Sequence, residues 1–166
     1  MPLPTWDVFI GLIFIVGIAY GLILRREKTI TTLCSTYIGL VIATSFSSYI
    51  FDFFNGNKVV ANQIWIRSSA SLSTVSIATL LLATFLVSGA INSTSSKAGD
   101  VSFFEVIVYS SLNIALILSA VLGFLPEEAR AGYLEASRFA RILFDLKTLW
   151  VVLPPIALVI LNFRRK

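Results

Sequence analysis

Asp52, Glu105 and Asn113 stand in or at the ends of otherwise apolar blocks, and Asp7 stands at the margin of another. Polar groups of this kind are costly in hydrocarbon, so where they persist they mark ion paths, proton relays or interhelical hydrogen bonds. Arg25, Arg26 and Lys28 crowd into one short basic turn between two of the blocks. Glu105 can pair with one of those three bases. Asn113 lies deeper and can hydrogen-bond a neighbouring helix, for example a hydroxyl on the third. Asp7 and Asp52 fall near one membrane face and Glu105 near the other, so no proton relay is expected.

Enzyme chemistry finds few materials here. The chain has no histidine, which removes imidazole bases, imidazole metal ligands and imidazole pH switching together. Cys34 has no second cysteine to pair with, and no phosphate-cradling G-x-x-x-x-G-K-[ST] loop occurs. Glu127 and Glu128 are adjacent and diverge around a helix. A serine hydrolase would need lysine or a carboxylate as its base. The expectation is a non-enzymatic protein with no catalytic residue, no cofactor and no metal.

The elements that must position these residues are set by composition. Hydrophobic residues make up 57% of the 166 and charged residues 13%, about half the ~25% charge of soluble domains. Four blocks carry no charge: Val8 to Leu24, Thr29 to Phe51, Ser68 to Ser96 and Val106 to Pro126. A bilayer core of ~30 Å takes about 20 helical residues, so each block is a membrane-span candidate. The fold expected is an all-α, polytopic membrane helix bundle with four transmembrane helices over 1–125. The first block is read as a retained helix rather than a cleavable signal, because its positive charges follow it.

Residues 126–166 have a different character. Pro126 to Lys147 holds eight charges, and its apolar positions, Tyr133, Ala136, Phe139, Ala140, Leu143, Leu146 and Trp150, share one helical face. That pattern predicts a C-terminal amphipathic helix on the membrane surface or along the bundle, with Lys147 off-pattern. A short apolar tail follows, with Pro154 and Pro155 breaking its centre. Its placement as a kinked fifth span or as a re-entrant or surface segment is open, with the latter slightly favoured.

Small residues recur every four positions within the spans. Gly17 and Gly21 do so on helix one. Ser35, Gly39, Ala43 and Ser47 do so on helix two, and Ser111, Ala115, Ser119 and Gly123 on helix four. Residues four apart share a helix face, and small ones let backbones approach closely in lipid. Close packing of helices one, two and four is therefore expected, within one chain or between copies. The basic turn argues for a multi-pass protein of the cell membrane with that turn cytoplasmic and the N-terminus outside. The amphipathic segment, which carries four positive charges of its own, would then lie outside. The net charge of +4 is read as a topology signal rather than a nucleic-acid surface.

Several of these stretches resemble the colicin V production protein family of bacterial inner-membrane proteins. The resemblance rests on Asp7 before helix one, Gly17, Tyr20-Gly21-Leu22-Ile23, Arg25-Arg26, the small-residue face from Leu33 to Ala43, and the segment Glu135 to Leu149. It departs before helix four, where the family's Gly-rich run is replaced by a stretch holding only Gly99. The resemblance implies four spans, an outside N-terminus, and a role in envelope maintenance and peptide-toxin secretion. The function expected is an envelope or secretion accessory, or a subunit of a larger membrane assembly. Its partners would be the lipid bilayer and itself or another membrane protein. The alternative is a small oligomeric channel or transporter, with serine, threonine and Asn113 facing water.

Overall fold

The computed structural model describes residues 5–54, 70–91 and 103–163, and every regular element among them is a helix. In order these are α1 (Trp6–Leu24), α2 (Arg26–Phe54), α3 (Leu72–Ala90), α4 (Phe103–Phe124), α5 (Glu127–Ala136), α6 (Arg138–Asp145) and α7 (Lys147–Phe163). The expected segments at 58–67 and 92–101 lie outside the described residues. The protein is an all-α membrane helix bundle, and α1 to α4 are each long and apolar enough to cross a membrane.

Helical backbone runs on from Trp6 to Phe54, 49 residues in all, which as a straight rod would reach about 74 Å. The contacts show a hairpin instead. Gly17 faces Ile114 and Gly21 faces Ser110, so α1 runs antiparallel to α4. Leu33 clusters with Tyr109 and Leu116, and Thr36 meets Asn113, so α2 runs parallel to α4. Across the reversal the Thr29 hydroxyl donates to the Gly21 carbonyl at 3.2 Å. In a straight helix eight residues would separate those positions by about 12 Å.

Helix α2 is the hub. Its face of Ser35, Ala43 and Ser47 is buried, and at Gly39 it meets α3 directly. A Cβ on Gly39 would lie 3.0 Å from the Leu80 carbonyl oxygen and closer still to the Thr84 hydroxyl. On α3, Ser71 caps the first turn by accepting from the Thr74 amide at 3.2 Å, which satisfies one of the orphan donors there. The outer faces of the spans carry exposed Ile15, Ile23, Leu82 and Phe85, a surface that lipid solvates without cost.

The amphipathic segment is two helices, not one. It breaks at Ser137, whose hydroxyl accepts from the Ala140 amide at 3.0 Å and donates to the Asp7 carboxylate. Asp7 also accepts from the Phe139 amide at 3.2 Å. Ala140 and Leu143 then close a buried cluster with Ile10 and Ala115, while Phe139, on the expected buried face, is exposed. Leu146 makes a second break, and α7 leaves α6 at 70°.

The apolar tail stays helical through Pro154 and Pro155. Proline supplies no amide hydrogen, so the Trp150 and Val151 carbonyls lose their usual partners four residues on. The Tyr37 hydroxyl reaches across from α2 and donates to the Val151 carbonyl at 2.6 Å. Pro154 is fully buried, and Ala157, Leu158 and Leu161 pack on the Leu33–Tyr109–Leu116 cluster.

Gly39→Leu should lower the melting temperature in detergent by about 5 °C or more, because overpacking costs ~1–3 kcal/mol. Gly89→Leu, where nothing lies within 4 Å of an added Cβ, should leave it unchanged. Fluorescence-detected size exclusion after heating measures both.

Candidate functional site

Polar side chains gather where the hairpin turns. The Arg26 guanidinium pairs with the Glu105 carboxylate, Nε to Oε2 at 2.5 Å. Glu105 opens the first turn of α4 and is buried. An acidic residue there complements the helix dipole, and the arginine neutralises it. Lys28 donates to the Ser88 carbonyl, one of the last carbonyls of α3 and so without an intrahelical partner. The Ser88 and Thr32 hydroxyls lie 3.2 Å apart. One turn of chain thus ties α2 to α3 through Lys28 and Thr32, and to α4 through Arg26. The Arg25 side chain lies outside the described residues.

Two turns deeper, Thr36 and Asn113 form a buried pair, with the Thr36 hydroxyl 2.8 Å from Asn113 Oδ1 and 3.0 Å from the Thr32 carbonyl. Asn113 thus meets a hydroxyl on a neighbouring helix, the second span rather than the third that served as the example. The reason is register: Thr36 and Asn113 come level because α2 and α4 run parallel. Most other hydroxyls in the spans turn back on their own helices. Thr31, Ser35, Thr44 and Ser76 each donate to the carbonyl four residues earlier at 2.8–2.9 Å. This back-bonding makes a hydroxyl tolerable in a dry interior.

Two hydroxyls behave differently. Ser110 occupies the space where a side chain on Gly21 would begin, and Thr84 does the same at Gly39. Each oxygen is buried with no conventional partner, against the open backbone of a glycine on another helix. Weak Cα–H···O contacts of this kind recur between closely packed helices.

The other named positions divide. Ala115 and Ser119 are buried and Ser111 is half-buried. Gly123 is exposed, with nothing within 4 Å of an added Cβ, and so leaves the packing ridge; α4 turns Leu116 and Ser119 inward and Gly123 out. Asp52 is exposed at the far end of α2 and is not inside the bundle. Tyr37, Thr84, Ser110 and Ser137 are contributors that spacing did not single out. Only Ser137 carried a signal, as a serine of capping type just before Arg-Phe-Ala-Arg.

Among the described residues no group of three His, Cys, Asp or Glu side chains could hold a metal ion. The arrangement supplies paired charges and spent hydrogen bonds, which suits holding helices together. No family profile, characterised protein or solved structure matches this chain.

Glu105→Gln or Arg26→Gln alone should destabilise the bundle by about 1–3 kcal/mol, since each breaks a charge-assisted contact at a buried carboxylate. The double variant should recover part of that loss, which a double-mutant cycle of detergent melting would show. Tyr37→Phe should cost about 1 kcal/mol by orphaning the Val151 carbonyl.

Proposed function

We propose that the chain is a non-enzymatic, multi-pass protein of the bacterial inner membrane. It acts as an envelope or secretion accessory or as a subunit of a larger membrane assembly, as in the colicin V production family it resembles. One observation carries this reading. Most of the described polar groups within the bundle are spent on one another or on their own backbone, as at Arg26–Glu105, Thr36–Asn113 and the back-bonded Thr31 and Ser35. Ser110 and Thr84, which are exceptions, are packed against glycine backbone rather than open to water. That economy fits a scaffold for association better than a water-lined path.

The proposed orientation places the basic turn in the cytoplasm and the N-terminus outside, with Asp7, α5 and α6 on the outer side. Helix α7 supports it. Its first residue lies beside Gly123 and Phe124, at the end of α4 away from the turn. Its Leu161 packs by Leu33 and Tyr109, toward the turn. At 17 residues it matches the short limit for a span; as a fifth crossing it ends on the side of Arg26 and Lys28, and the sequence after it, Arg164-Arg165-Lys166, is basic. Basic residues at both places then obey one cytoplasmic preference.

In a Cys34→Ser background, a membrane-impermeant thiol reagent applied to intact cells should label Thr5→Cys and spare Lys166→Cys. Labelling of both would refute the fifth crossing. For the function itself, gentle extraction and intact-mass analysis should return the chain in a stoichiometric complex, and reconstituted vesicles should show no ion flux. Flux altered by Asn113→Leu would establish the channel reading in its place.

A further inference from the structure

A part-open cavity of about 400 Å³ lies between α2, α4 and α7, at the end of the bundle away from the basic turn. Its walls are apolar, with Leu40, Leu116, Ala120, Gly123 and Val151 among them, and Lys147 stands at its rim. The size falls within the ~300–1,000 Å³ of small-molecule sites. Gly123 is open in the folded protein because it borders this space.

Lys147 does not stand alone. Its ammonium lies 5.1 Å from the centre of the Phe144 ring, and the Arg130 guanidinium carbon lies 4.7 Å from the same ring. The two cations are therefore within roughly 10 Å of each other, about one Debye length. Among the described residues neither is paired with a carboxylate; the Arg26–Glu105 ion pair lies at the opposite end. The ring holds both cations in place, but it does not remove their mutual repulsion. An anion close to both does.

We infer that this groove binds a phospholipid of net negative charge, its acyl chain along α2, α4 and α7 and its headgroup phosphate at Lys147, with Arg130 the next cation across the Phe144 ring. The surroundings of the groove select a lipid over a free ion, because beyond Lys147 and Thr148 its walls are largely apolar, with the Thr44 and Ser119 hydroxyls turned onto backbone carbonyls, and offer a hydrocarbon chain continuous contact. Lys147, the residue that departs from the amphipathic pattern of its segment, gains a role in this arrangement. Two headgroup contacts near a membrane surface account for about a tenfold preference or more over a zwitterionic lipid.

The test uses the full chain, washed free of native lipid in detergent and titrated with phosphatidylglycerol or phosphatidylcholine in mixed micelles. Native mass spectrometry counts the lipid retained. The wild type should retain phosphatidylglycerol about tenfold better. Arg130→Gln with Lys147→Gln should abolish that preference, while Arg141→Gln on the same segment should preserve it. Gly123→Leu should lower retention of both lipids with an unchanged melting temperature, since the added side chain meets only the groove. Equal retention of the two lipids by the wild type would overturn the inference, as would equal loss in Arg141→Gln. So would undiminished binding by Gly123→Leu, or full displacement by inorganic phosphate alone.

Discussion

In a bilayer, apolar helices gain little by leaving lipid for one another, so what holds this bundle is the distance at which backbones can meet. That distance is set at Gly21 and Gly39, where the Ser110 and Thr84 hydroxyls fill the space a side chain would need. Everything central to the bundle follows from those two approaches. Gly21 against Ser110 brings α1 alongside α4. Gly39 against Leu80 and Thr84 brings α3 onto α2, and α2 becomes the helix on which the others converge.

Polar contacts then close the bundle at its ends. At the turn, Arg26 reaches Glu105 on α4 and Lys28 reaches the last turn of α3. At the opposite end, Asp7 holds Ser137 and the Phe139 amide, pinning α6 to the start of α1. Trp6 and Tyr133 add a perpendicular ring contact at 4.8 Å nearby. Between the ends, Tyr37 supplies the hydrogen bond that Pro155 withholds from Val151, so α7 keeps its helix and its place on the bundle. Each of these contacts spends a polar group that lipid would otherwise leave unsatisfied.

The all-α membrane fold was legible because four uncharged blocks of span length leave little else to build. The hairpin was legible too, from three bases between two such blocks. Spacing named Arg26 as one of three partners open to Glu105, but it could not choose among them, because choice depends on which face of the turn meets α4. Asn113 was recognisable as a hydrogen-bonding residue, yet its partner depended on the parallel register of α2 and α4, which no local pattern encodes. The break at Ser137 escaped a periodicity argument because a helical face can be drawn straight through a capping serine. Gly123 has the right spacing and the wrong neighbour: nothing packs on the last rung of the α4 ladder, whereas Ser47, the same rung on α2, is buried, so spacing alone cannot tell the two apart.

The central claim is that these helices meet within one chain, in lipid, at the register set by the close approaches. Cysteine cross-linking of Thr36→Cys with Asn113→Cys, in a Cys34→Ser background in native membranes, tests it most directly. The account predicts a rapid disulfide within the monomer, seen as a faster-migrating band that reductant restores. Cross-linking only into dimers, or none at all, would contradict it.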